Sequence, residues 1–356
     1  METLSKAAGP GAPPEFDPKF DPKFDNVQRP AWHRRGFLSS QTAYVTLAFV
    51  VITVLVAALA GNFTSASNLL NISRNLSYIA LISLGMTVVI ITGGIDLSVG
   101  AVTALTAVCT MVAMRLVADS GLAAVPWAAL VVPVAAGLAL SAFVGWVNGM
   151  MVARVGLSPF VTTLGMLSIC RGLTYVITQG RGQPPTGPYV PEFLSITNGS
   201  FGGLPASVVY MLACAAALGF ALHHTSWGRH LFAIGGNEQA AVRTGVRVAR
   251  MKVGAYVLCS LSAGLTGILL AGWLGSAPAN LANGYELRVI AASVIGGANL
   301  AGGAGGPVGA VVGAALIEVI RNGLVLGRVD AYWQDALIGL IIILAVLVDR
   351  LRTRQR

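Results

Sequence analysis

Few residues in this chain have the type and setting to do chemistry, and each sits in or beside an apolar run. Asp96 lies in Thr92-Gly93-Gly94-Ile95-Asp96-Leu97-Ser98-Val99-Gly100, where paired glycines weaken a helix and Asp96 or Ser98 caps the next one. An acid beside a broken membrane helix is costly unless capped, paired or wetted, so the alternative is contact with a transported solute. Glu318 and Arg321 stand three apart on one helical face with Asn322 beside them. That spacing suits an intrahelical ion pair; the sharper alternative is an ion-coupling site. Arg171 has no acidic neighbour in sequence and must face protein or water. Gly235-Gly236-Asn237-Glu238-Gln239-Ala240-Ala241-Val242-Arg243-Thr244-Gly245-Val246 reads as a short helix capped by Asn237 and stopped at Gly245, with Glu238 in its first turn. By periodicity alone an ordinary surface helix is the simpler reading; the other is a helix that docks into a partner's groove.

Enzyme chemistry is not supported. Gly296–Pro307 is glycine-rich but lacks the Lys-Ser/Thr ending of a phosphate loop, and its Gly305, Gly309, Gly313 spacing suits close helix packing. The four histidines form no HExxH, no GxSxG elbow occurs, and Cys109, Cys170, Cys214 and Cys259 lie unpaired in apolar runs. The chain is expected to bind no metal or cofactor itself.

The elements that must hold these residues are membrane helices. Of 356 residues 55% are hydrophobic and 10% charged, against about 25% charged in a soluble domain. Mean hydropathy is +0.74. Glycine, at 43 residues, lets helices approach closely where lipid supplies no drive for association. Apolar runs long enough for a core of about 30 Å lie near 41–60, 72–92, 97–118, 125–150, 158–178, 207–223, 251–273, 288–303, 307–327 and 333–348. The expected class is all-α, polytopic, with about ten transmembrane helices and both termini cytoplasmic. On that topology 16 of 23 Lys+Arg fall inside and five (Arg74, Arg115, Arg181, Arg288, Arg328) outside. The net charge of +9 is thus topological, and nucleic acid is not an expected partner.

Residues 1–40, with a Phe-Asp-Pro-Lys repeat at 16–25, read as a disordered cytoplasmic tail without a signal peptide, and 351–356 as a basic tail. The transmembrane domain spans 41–350, with a Gly/Pro-rich outer loop at 179–206. An inner connection at 224–250 is expected to be helical in its second half.

Several segments, in order, resemble the monosaccharide-type permeases of bacterial ABC importers, the ribose and xylose permease family. They are Leu84–Thr87 with Gly93–Gly100, Ser158–Met166 (Ser158 where a proline is common), and Gly235–Val246 (Thr244 for the usual serine). Gly284–Leu287, Ile290–Ala292, Val294–Gly297, Asn322–Leu324 and Leu344–Asp349 follow. Arg288 departs from the pattern, which usually has a small or acidic residue there.

The resemblance implies a permease subunit in the bacterial inner membrane for a monosaccharide or related polyol. Its implied partners are cytoplasmic ABC ATPase subunits, a periplasmic sugar-binding protein and a second permease copy, with ATP and magnesium entering through the ATPase. It favours docking for the segment at about 235–248 through Gly236, Asn237, Glu238, Ala241, Arg243 and Gly245. It makes the 179–206 loop a contact for the binding protein. Candidates along the translocation path are Asp96, Ser98, Thr162, Thr163, Arg171 and Asn322. The competing class is an ion-coupled secondary transporter using Asp96 or Glu318.

Overall fold

The computed structural model describes residues 41–330 and five more between 333 and 340. The expected tail at 1–40, most of the tenth apolar run at 333–348, the Leu344–Asp349 match and the basic tail at 351–356 lie outside the described residues. Among the described residues eight helices are long and apolar enough to cross a membrane. These are α1 (Gln41–Leu59), α2 (Ala66–Ile91), α3 (Val99–Ala118), α4 (Pro126–Met150), α5 (Pro159–Thr178), α7 (Ala206–His224), α10 (Val248–Leu274) and α12 (Pro307–Leu326). Shorter helices are α6 (Val190–Asn198), α8 (Ser226–Gly236), α9 (Glu238–Arg243) and α11 (Tyr285–Ile295).

α2, α3 and α10 form the core, and α2 is buried continuously from Ser77 to Ile91. Packing relies on missing side chains, as expected where lipid is as apolar as leucine. A Cβ on Gly145 of α4 would lie 2.6 Å from the Tyr256 carbonyl oxygen, and one on Gly149 2.7 Å from Val253 Cα. Gly309 and Gly313 of α12 abut the Gly296 and Ala292 carbonyls, so the close packing read from their spacing is what they do. Hydroxyls join helices through backbone: Thr103 Oγ1 donates to the Ala263 carbonyl (3.1 Å) and Ser293 Oγ to that of Ser83 (3.2 Å). Gly145→Ala is therefore expected to lower the thermal midpoint and folded yield, since the atom it meets is backbone. Gly165→Ala, whose Cβ meets nothing within 4 Å among the described residues, should leave both unchanged or slightly raised. Fluorescence-detected size exclusion after heating separates the two.

Three expectations need correction. The run 288–303 is not one helix: α11 has 11 residues, about 16 Å of helix, too short to cross a core of about 30 Å. Irregular segments adjoin α11 at both ends. Such backbone is tolerated at membrane depth only when packed in protein, and α11 is flanked by α2 and α12. Second, α2 begins at Ala66, six residues before the expected 72, with Ser65 Oγ accepting from Asn68 N (3.4 Å). Arg74, already within the expected run, lies in α2 with its guanidinium over the Trp273 ring (5.8 Å). Third, the inner connection is helical in its first half too, as α8.

The 179–206 segment also has more order than its glycines and prolines suggest. It contains α6, with Phe193 buried, and a two-stranded turn pairing Ser200–Phe201 with Leu204–Pro205. Gln183 exchanges backbone hydrogen bonds with Ala277 (3.1 and 2.8 Å).

Candidate functional site

The segment singled out for docking folds as read. Asn237 Oδ1 accepts from Ala240 N (3.0 Å), and Gly245 adopts φ +83°, which ends α9 as a left-handed residue after the helix. The six residues proposed for coupling divide in two. Gly236, Asn237, Glu238, Arg243 and Gly245 are exposed, as is Val242. Ala241 faces inward and packs with Ile234 of α8 and Val248 of α10. Glu238 Oε2 accepts from Lys252 Nζ at 2.7 Å, a surface pair tying α9 to the first turns of α10. Such a pair contributes about 0–1 kcal/mol, so Ala241 and its apolar neighbours seat the helix more than charge does.

The first residue of that segment is neither loop nor surface. Gly235 lies within α8, and a Cβ on it would collide with the Ile91 carbonyl oxygen at the end of α2 and with Gly303 N. Gly303 N donates to that same Ile91 carbonyl (2.9 Å). Three backbones therefore meet at one point: α8 ahead of α9, the end of α2, and the loop between α11 and α12. Gly302 (φ +94°) and Gly303 (φ +77°) supply conformations that β-carbons resist, and both lie against Gly235.

Immediately after Ile91 comes the Asp96 segment, at the α9 end of the bundle. Asp96 is fully buried, and its Oδ1 accepts from Ser98 N (2.9 Å) and Ser98 Oγ (2.6 Å). Ser98 Oγ in turn accepts from Asn148 Nδ2 (3.0 Å). Tyr256 Oη donates to the Ile95 carbonyl (3.2 Å). Asp96, not Ser98, supplies the side-chain acceptor at the start of α3. Asp96 Oδ2 and Asn148 Oδ1 have no hydrogen-bond partner among the described residues. The two residues that sequence reasoning missed are Asn148 and Tyr256. Asn148 had a signal, as an amide inside an apolar run, where polar groups need partners.

The remaining path candidates are not gathered with these. Thr162 and Thr163 stand on the first turn of α5, where Thr163 Oγ1 donates to the Pro159 carbonyl (2.8 Å). Arg171, further along α5, donates from Nη1 to the Ala279 and Leu281 carbonyls (2.9 and 3.0 Å), fixing the segment that leads into α11. Asn322 forms a reciprocal amide pair with Asn68 (3.0 and 2.8 Å), closing α12 onto the start of α2. Glu318 and Arg321 make the expected intrahelical pair at 3.5 Å. The departing Arg288 lies beside the Tyr285 ring (5.8 Å).

Comparison with known proteins agrees with this architecture. Residues 68–346 match the family model described as the permease component of branched-chain amino acid transport systems. The ribose import permease protein RbsC of Escherichia coli K12 is 40% identical over 308 residues, 85% of this chain and 92% of that protein. RbsC of Bacillus subtilis 168 is 38% identical, covering 85% of this chain and 91% of that one. The L-arabinose transport system permease protein AraH of E. coli K12 is 33% identical, covering 86% and 90%. No solved structure matches the chain. A bundle of apolar helices and a family match over most of its length lead to one conclusion: the chain belongs to the family of transport-system permease components that includes these ribose and arabinose permeases.

Proposed function

We propose that this chain is the membrane-spanning permease of an ATP-driven importer for a monosaccharide, with pentoses the first candidates. The observation that carries this reading is its likeness to ribose and arabinose permeases along nearly their whole length. Its own residues form the path, and ATP with magnesium acts in a separate ATPase. That ATPase docks on the exposed face of α9, on Glu238, Val242 and Arg243, while Asn237 and Gly245 fix the helix ends and Ala241 anchors it. A periplasmic binding protein delivers sugar to the face carrying α6. A second copy completes the assembly; α1 and α5, the least buried of the long helices, leave apolar surface for that copy and for lipid. Both termini then lie in the cytoplasm of a bacterium whose inner membrane holds the complex.

The path candidates take different parts. Arg171, through the Ala279 and Leu281 carbonyls, positions the entry to α11; Thr162 and Thr163 line the approach along α5. Asp96, Ser98 and Asn322 act from buried contacts between helices. Net import requires that ATP and the loaded binding protein favour different permease states.

Uptake of labelled ribose and arabinose into proteoliposomes, with the ATPase and binding protein supplied, tests the reading. Import that depends on both supports it; import that proceeds without ATP and collapses with an ion gradient refutes it. Charge reversal at α9, Glu238→Arg with Arg243→Glu, is expected to abolish co-purification of the ATPase while leaving membrane insertion intact. Unchanged association removes the docking assignment.

A further inference from the structure

Between α7 and α10 runs an apolar groove of about 480 Å³, floored by Gly85 of α2. It lies in the halves of these helices next to α8, between Cys214–Ala221 on one wall and Gly254–Ser262 on the other, with Trp227 of α8 at its near end. Among its described lining side chains only Cys214, Trp227 and Ser262 carry a polar atom, and Ser262 Oγ already donates to the Leu258 carbonyl (2.9 Å). A sugar would lose its hydrogen bonds to water here and regain almost none, so the groove is no part of a sugar path. Gly254 stands at its wall, and among the described residues nothing lies within 4 Å of where its Cβ would be.

Helical spacing carries both walls into polar, basic residues at the membrane edge. On α10, Arg250 precedes Gly254 by four and is exposed, on the row that continues to Leu258 and Ser262. On α7, His224 follows Ala221 by three, its ring stacked on Phe220 (5.1 Å between centroids). An apolar trough ending in a cation, with an indole at the boundary, complements an amphiphile with a long apolar chain and an anionic head.

We propose that this groove is a binding site for one acyl chain of an anionic phospholipid whose phosphate sits at Arg250. On the orientation proposed above this is a lipid of the cytoplasmic leaflet. The site holds together α7, α8 and α10, which are the helices leading into and out of α9, so its occupancy stiffens the frame on which the docking helix is mounted.

The test is native mass spectrometry of the purified permease, released from nanodiscs of phosphatidylglycerol or of phosphatidylcholine with the same acyl chains. The expected result is one phosphatidylglycerol retained per chain, with markedly less phosphatidylcholine. Gly254→Leu, whose Cβ enters open space and whose branched end extends into the groove, should abolish retention of either lipid. Arg250→Gln, on the exposed surface, should cut phosphatidylglycerol retention about five-fold and leave phosphatidylcholine unchanged. Equal retention of the two lipids by the wild type overturns the proposal, as does full retention by Gly254→Leu. Efficient cross-linking of Cys214 to a cysteine introduced by Leu340→Cys also overturns it, since the 333–348 segment would then fill the groove.

Discussion

Gly235→Val is expected to give a permease that inserts, folds and still binds its ATPase, yet imports sugar ten- to a hundred-fold more slowly. The expectation rests on where the new atoms must go. A Cβ at residue 235 meets two backbone atoms, the Ile91 carbonyl oxygen and Gly303 N, which are already hydrogen-bonded to each other. Neither is the end of a flexible side chain, so relief requires α8 to move away from the end of α2. Overpacking of this kind costs about 1–3 kcal/mol, and about 1.4 kcal/mol corresponds to a factor of ten. Because Ile91 belongs to the core, the thermal midpoint should fall as it does for Gly145→Ala, but α9 keeps its cap at Asn237 and with it the face proposed for docking.

Coupling is expected not to tolerate it. On the proposed docking at α9, motion of that helix reaches the spans only through contacts that do not yield, and the three-backbone junction at Gly235, Ile91 and Gly303 is such a contact in the helix next to α9. Uptake by reconstituted vesicles, scored beside co-purified ATPase and its basal ATP hydrolysis, separates the outcomes. Normal uptake by Gly235→Val would show that the junction transmits nothing. Loss of ATPase binding together with uptake would make Gly235 a docking residue instead.

The sequence exposes such features unevenly, for physical reasons. Hydropathy locates α1, α3, α4, α5, α7, α10 and α12 to within about three residues because a spanning helix must be apolar along its length. It fails at α11, where glycine counts as neutral although Gly297, Gly302, Gly303 and Gly305 take positive φ and break the helix. It also misses the first turns of α2, whose Asn68 is polar but satisfied by Asn322, 254 residues away. Local chemistry fares better: the Asn237 cap and the Glu318–Arg321 pair need only neighbours along one helix. Asn148 and Tyr256 reach the Asp96 segment from 50 and 161 residues away, a closeness that only packing creates. The Gly235 junction is hidden for a further reason, since it consists of backbone atoms that every residue has.

Asp96 allows the importer and the ion-coupled transporter to be told apart with two substitutions. Its carboxylate is fully buried and supplies the acceptor for both Ser98 N and Ser98 Oγ. Asp96→Leu removes that acceptor while leaving the donors buried, at a cost of about 1–3 kcal/mol for each unsatisfied group. Ser98 Oγ also holds Asn148 of α4, so the loss spreads to the packing of α3 against α4. Folded yield and thermal midpoint should fall sharply, and uptake with them. Asp96→Asn is different in kind. Its amide oxygen keeps both acceptor contacts, and its NH2 takes the place of the Oδ2 oxygen that has no partner among the described residues. The uncharged form is therefore better suited to this sealed site than a carboxylate, whose burial without a counter-charge is costly. In the ATP-driven importer Asp96→Asn should import at close to the wild-type rate with an equal or higher thermal midpoint. A coupling acid must change its charge or bind an ion during each cycle, so in a secondary transporter the same substitution would stop uptake. Loss of import by a stable Asp96→Asn protein would reopen the ion-coupled reading; retention confines Asp96 to holding the start of α3 against α4.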